Sequence, residues 1–181
     1  MSAAGCARPR SRSRALAVCA AVLSLSALLT ACGEEGEDTL PEAADQGAVG
    51  ELLRGALPCT EVSYRTPRQL ARLQQRVAGV DGAGECETEE GEYGTDFFHA
   101  SDMRQFLQSW SSMDRQDQGE RPMMIGRNFG VQTDAMFEKR LLEAGLLYLA
   151  CEPGFEPPEG SRAVRLDEGC VATDRAPGGT S

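Results

Sequence analysis

Apolar residues recur three or four positions apart in four segments of the chain, the spacing that places them on one face of a helix. The sequence therefore predicts four amphipathic helices. Their apolar positions are Val49, Leu52, Leu53 and Ala56; Leu70, Leu73 and Val77; Met103, Phe106, Leu107, Trp110 and Met113; and Phe137, Leu141 and Ala144.

Residues that favour helix starts precede these segments. Thr66, Pro67 and Gln69 match a capping box with proline at the first helical position. Gly79 and Gly145 follow the second and fourth segments, where glycine commonly ends a helix. The other predicted caps are Asp45, then Ser101 or Asp102, and Thr133 or Asp134.

Short apolar runs between the helices predict strands at 93–98, 123–125, 129–132 and 146–150, with a tight turn or bulge at 126–128. Helices that alternate with short strands, some joined as a hairpin, indicate an α+β fold. We expect a two-layer sandwich of three to four helices on a small mixed or antiparallel sheet, stapled by disulfides.

The first 31 residues have the layout of a secretory signal peptide. Four arginines lie between Arg8 and Arg14, and the uncharged run Ala15–Ala31 follows with 17 residues. A transmembrane helix is the alternative, but the run is shorter than the roughly 20 apolar residues that span a bilayer. The residues after Cys32 are acidic rather than basic, so no stop-transfer cluster follows.

Leu29-Thr30-Ala31-Cys32 resembles the lipobox of bacterial lipoproteins. The resemblance implies that the Cys32 thiol receives a diacylglyceryl group and that cleavage before it makes Cys32 the new N-terminus. Two acyl chains hold a protein stably on a membrane. We therefore expect localisation at the cell membrane, with Cys32 anchored by its lipid on the extracytoplasmic face.

Cleavage before Cys32 would make the chain strongly acidic. Removal of Arg8, Arg10, Arg12 and Arg14 from 18 basic residues leaves 14, against 28 acidic residues, a formal charge of −14. Such a surface repels phosphate backbones, so no nucleic-acid partner is expected.

Four cysteines remain after the lipidated one, an even number in an oxidising compartment. Three pairings are possible. We favour Cys59–Cys86 and Cys151–Cys170, because each pair brackets one local unit. A metal site is disfavoured, because no two of them lie two to four residues apart as zinc ligands do, and no cofactor is predicted.

The order of elements, with Gly126-Arg127-Asn128-Phe129 leading into a strand, resembles a set of small secreted lipoproteins of actinobacteria. The resemblance covers about residues 59–150, and an early disulfide is common in that set. The composition of the chain agrees with this resemblance. It has 17 arginines but a single lysine, isoleucine and asparagine, which indicates a high-GC genome. The set has no assigned catalytic residues, so it implies none here.

His99 is the single histidine, and Asp96 and Asp102 flank it. It could act as a general base oriented by a carboxylate, but no nucleophile motif accompanies it. The alternative is a surface residue at a strand end. The polar segment 81–94 could supply calcium ligands, but its acids lack an EF-hand spacing and fit a solvated loop. No catalytic residue is assigned.

These observations predict a signal peptide at 1–31, a lipidated cysteine and flexible acidic tether at 32–44, one α+β domain at 45–171, and a disordered tail at 172–181. The predicted function is a membrane-anchored module that binds an envelope protein or a small ligand, or scaffolds the envelope. The alternative is an extracytoplasmic hydrolase that uses His99 and nearby carboxylates.

Overall fold

A computed structural model of the chain describes residues 39–90, 94–113 and 121–177. These residues form one antiparallel sheet of eight strands, in the order β1-β2-β3-β5-β4-β6-β8-β7. The strands are β1 Cys59–Tyr64, β2 Val80–Thr88, β3 Thr95–Ala100, β4 Met123–Ile125, β5 Phe129–Gln132, β6 Leu147–Ala150, β7 Ala163–Arg165 and β8 Val171–Thr173.

The described residues contain four α-helices, and each of the first three begins at a predicted cap. Asp45 and Asp102 each accept a hydrogen bond from the backbone N–H three residues on, and Thr66 and Gln69 form the predicted capping box. Asp134 precedes a 3-10 turn but makes no side-chain capping hydrogen bond. The helices are α1 Gln46–Ala56, α2 Pro67–Gln74, α3 Met103–Ser111 and α4 Glu138–Glu143.

The α+β class is confirmed, and the sheet is antiparallel and larger than the small sheet predicted. Strand residues point alternately to two faces. One buried cluster contains Phe97 and the apolar residues of α1 and α4, whereas the other contains the apolar residues of α2 and α3, with Phe98 at its edge. Because helices contribute to both clusters, the two-layer arrangement is not confirmed. We call the two faces the α1 side and the α3 side.

The prediction of a polar loop over 81–94 was wrong for most of its length, because 80–88 forms β2. Its buried positions are small residues, and two glycines explain why. A Cβ on Gly82 would lie 2.7 Å from the side chain of Gln46, and one on Gly84 would collide with the Phe97 ring and the Ser63 carbonyl. The strand therefore lacks the large apolar residues that normally reveal one.

Both predicted disulfides are present. Cys59 and Cys86 join β1 to β2, with their Cα atoms 5.4 Å apart, and Cys151 and Cys170 are bonded with a Cα–Cα distance of 4.1 Å. Cys86 belongs to the buried cluster of the α1 side and Cys170 to that of the α3 side. Each side of the sheet thus carries one covalent link.

Ordered structure extends beyond the predicted domain at both ends. Ala43 is buried although it lies in the predicted tether, and β8 takes in Ala172 and Thr173 of the predicted tail. Cys32 and the predicted signal peptide at 1–31 lie outside the described residues. Within the described ranges, no helix has the length and apolarity needed to cross a membrane.

Candidate functional site

A groove of about 350 Å³ opens on the α3 side, between α2 and the strands β2, β3 and β5. Its floor is Phe98, whose cross-strand neighbours are Ala83 on β2 and Gly130 on β5. Both neighbours are small, so neither covers the ring with a large side chain of its own; Met123 and Phe106 pack beside Gly130. The Phe98 groove is lined by Arg65, Gln69, Arg72, Leu73, Arg76, Val77, Ala83, Gly84, Asp96, Phe98, Trp110, Met113 and Gln132.

The groove stays open because α2 covers the sheet incompletely. The helix is eight residues long and has no buried residue, and its apolar positions Leu70 and Leu73 are only partly covered. Val77, predicted to continue the helix, is buried in the turn that follows it. A short helix with two half-buried leucines leaves room beneath it.

Two of the lining residues, Arg65 and Asp96, form ion pairs. The Arg65 guanidinium lies 3.0 Å from an Asp96 oxygen and 3.4 Å from a Glu85 oxygen. Arg121 lies 2.7 Å from the other Asp96 oxygen. All four side chains are partly exposed, so these ion pairs contribute modestly to stability. They do neutralise the single carboxylate that lines the groove.

Arg72 and Arg76 line the groove differently. Both are exposed, and neither forms an ion pair within the described residues. They lie four residues apart, and the backbone N–H of Arg76 still donates to the Leu73 carbonyl, so one helical turn separates them. Like charges at this spacing repel each other.

His99 lies on the opposite side of the sheet. It is 7% exposed, so the surface alternative does not hold, and it shares the α1 side with Phe97, two residues before it. Its Nδ1 lies 2.5 Å from Oδ1 of Asp81. The flanking carboxylates are used elsewhere, since Asp96 pairs with arginines and Asp102 caps α3.

Asn128 links the imidazole of His99 to the backbone of Ala43. Its Oδ1 accepts from the Ala43 N–H at 3.0 Å and its Nδ2 donates to the Ala43 carbonyl at 2.7 Å, which sets the orientation of the amide. Nδ2 of Asn128 also lies 3.3 Å from Nε2 of His99. Nε2 also lies 3.3 Å from the Ala43 carbonyl oxygen, so both ring nitrogens have partners within the fold. We call Asp81, His99, Asn128 and Ala43 the clasp.

The clasp has the carboxylate–imidazole pair of a general base but not its access. Nε2 faces Asn128 and the Ala43 carbonyl, and His99 does not line the Phe98 groove. A general base must reach the proton that it removes. The arrangement therefore holds residues 41–43 against the sheet rather than presenting a base to a substrate.

The acidic residues of β2 do not form a metal site with their neighbours. In the part of the chain that the structure describes, no group of three or more His, Cys, Asp or Glu side chains could hold a metal ion. Strand geometry sends Glu85 and Glu87 to one face of β2, with Cys86 between them on the other. Glu85 is engaged by Arg65.

Tyr148 is the group whose titration the fold changes most clearly. It is buried on the α1 side, and its hydroxyl donates to Oε2 of Glu138 at 2.5 Å. Burial raises the pKa of Tyr148 well above its usual range, and the hydrogen bond and negative charge of Glu138 raise that pKa further.

Sequence reasoning singled out His99 but did not bring the residues of either arrangement together. Asp81 and Asn128 are distant in sequence from His99 and meet it only through strand pairing. One signal for the groove was present: Arg72 and Arg76 flank the predicted apolar face of Leu70, Leu73 and Val77. No protein-family model matches the chain, and searches of the curated proteins and of the solved structures find no match either.

Proposed function

We propose that this chain is an extracytoplasmic lipoprotein, anchored in the cell membrane through Cys32, whose domain binds a small ligand in the Phe98 groove. The observation that carries the binding role is the partly exposed Phe98 in a central strand, flanked by Ala83 and Gly130. The groove volume lies at the lower end of the roughly 300–1,000 Å³ of small-molecule sites. That size favours a small ligand over an envelope protein.

The lipobox supports the location, and the two disulfides suit an oxidising compartment. The hydrolase alternative has less support, because its candidate base lies across the sheet from the groove and both of its ring nitrogens have partners. We propose no catalytic step.

Replacement of the cysteine tests the location. We expect Cys32→Ala to abolish incorporation of labelled fatty acid and to leave the precursor uncleaved, because the thiol is the attachment point. Cys19→Ala, a cysteine upstream in the predicted signal peptide, is the control and should be processed normally. Equal labelling of wild type and Cys32→Ala would refute the anchor.

Mass spectrometry of the anchored protein extracted from its own envelope tests the binding role. We expect a small molecule to co-purify and to be lost from Ala83→Leu, which extends a side chain from the groove floor. Ala71→Leu, on the exposed face of α2, should retain it. A molecule retained equally by both variants would place binding outside the groove.

A further inference from the structure

We infer that the ligand of the Phe98 groove is a small anionic amphiphile, with a carboxylate or phosphate head bound by Arg72 and Arg76 and an apolar body over Phe98. This inference rests on the proposed function and adds the chemical class of the ligand.

The arginines near the groove differ in whether a carboxylate neutralises them. Arg65 and Arg121 are matched by Glu85 and Asp96, at distances of 2.7 to 3.4 Å. Arg72 and Arg76 have no such partner within the described residues, so the groove keeps two positive charges in a chain whose formal charge is −10. A local excess of positive charge on a protein that is negative overall favours the binding of anions at that place.

The geometry suits one head group shared by both side chains. One helical turn separates Arg72 from Arg76, and both line the same groove. A guanidinium offers a planar fork of donors that matches the two oxygens of a carboxylate or phosphate. An anion between the two forks would replace their mutual repulsion with two attractions.

The rest of the groove excludes a bare anion as the best ligand. Beyond the arginines, the polar side chains of the lining are Gln69, Asp96 and Gln132. Its large apolar side chains are Leu73, Val77, Phe98, Trp110 and Met113. Aromatic and thioether surfaces gain from covering an apolar body. A cation would meet the two arginines, and a nucleic acid would be repelled by the acidic surface outside the groove.

Four eight-carbon probes separate head from body: octanoate, octyl phosphate, octanol and octylammonium. Trp110 is the single tryptophan of the chain and lines the groove, so its fluorescence reports local occupancy. The complete chain from residue 32, produced without lipid, is titrated with each probe. We expect saturable responses to octanoate and octyl phosphate, about tenfold or more weaker binding of octanol, and none of octylammonium.

The variant Arg72→Gln/Arg76→Gln should weaken both anions about tenfold or more and leave octanol unchanged. Arg68→Gln/Arg175→Gln removes the same charge from exposed arginines outside the groove and should behave as wild type. Arg72→Lys/Arg76→Lys keeps the charge without the forks and should bind with intermediate affinity. Thermal melting of each variant checks that the fold is retained.

Octanol that binds as tightly as octanoate, or anion binding that Arg72→Gln/Arg76→Gln leaves unchanged, would overturn the anionic class while groove binding stands. Absence of any response in the millimolar range would also overturn it. The proposed function is then decided separately by the co-purification experiment, which does not depend on these probes.

Discussion

Phe97 and Phe98 are neighbours on β3, yet one is sealed and the other is partly open. Phe97 is 0% exposed beneath α1, a helix of 11 residues that buries Val49 and Leu53. Phe98 lies beneath α2, which has no buried residue. β3 presents a phenylalanine to each face of the sheet. The helix that covers each face therefore determines whether a packed core or a groove forms there.

The two sides of the sheet also differ in which one carries the histidine and which one has the groove. The α1 side holds the single histidine, but its nitrogens are used within the clasp. The α3 side holds no histidine, but it has a groove with two unmatched arginines. Histidine, a residue type that suggests catalysis, therefore lies on the side without the groove. The groove lies on the side where the cross-strand neighbours of Phe98 are small.

Alanine at each phenylalanine should give the largest contrast. We expect Phe97→Ala to lower the free energy of unfolding by about 3–5 kcal/mol, because it leaves a cavity in a packed core. Phe98→Ala should lower it by about 1–2 kcal/mol, because part of that ring already faces solvent. Denaturant unfolding of both variants measures the difference. Equal losses would mean that the groove is packed as tightly as the core.

Alanine at two strand glycines sharpens the comparison. A Cβ on Gly84 would meet the Phe97 ring and a backbone carbonyl on the α1 side. A Cβ on Gly130 would meet the ends of two side chains, at 2.8 Å from Met123 Sδ and 3.1 Å from Phe106 Cζ.

Side-chain ends can move whereas backbone cannot. We therefore expect Gly84→Ala to cost about 1–3 kcal/mol of unfolding free energy and Gly130→Ala less. Thermal unfolding of the pair provides the measurement, and a larger loss for Gly130→Ala would contradict the assignment of the rigid side.

Removal of the clasp histidine should affect stability but not binding. We expect His99→Ala to cost about 1–2 kcal/mol, because Asn128 loses one partner and Asp81, which is partly exposed, can be solvated instead. Hydrogen exchange at the Ala43 amide should become faster. Probe binding in the Phe98 groove should match wild type, and its loss in a folded variant would revive the hydrolase.

Tyr148, on the α1 side, makes the stability of the fold depend on pH in the alkaline range. Its pKa is raised in the folded protein by burial and by Glu138, whereas the unfolded chain ionises near its usual value of about 10. Above that pH the unfolded state loses a proton that the folded state keeps, so stability falls as pH rises.

We expect Tyr148→Phe to lower the free energy of unfolding by about 1 kcal/mol at neutral pH, because the hydrogen bond to Glu138 is lost. The variant should also show a smaller loss of stability as the pH rises above about 10. Denaturant midpoints measured on both sides of pH 10 test this. The same alkaline slope in the variant and in wild type would assign the decline to other groups.

Local signals in the sequence predicted the helices, the β4–β5 hairpin and both disulfides. Capping residues act over three or four positions, so Thr66 and Asp102 are legible without a fold. β2 was missed because Gly82 and Gly84 are small to fit Gln46 and Phe97, which are distant in sequence. The clasp was missed for the same reason, since Asp81 and Asn128 reach His99 through strand pairing.

The clasp also has a mechanical meaning. The Arg127 N–H donates to the Pro41 carbonyl at 2.7 Å, and Asn128 holds both backbone groups of Ala43. Tension applied to the chain ahead of residue 39 is therefore borne by the contacts of Thr39 and Leu40 and then by the turn between β4 and β5, two interior strands of the sheet. The first turn of α1 begins only after that point, so a pull on the N-terminal segment would load the sheet before it could unwind the helix.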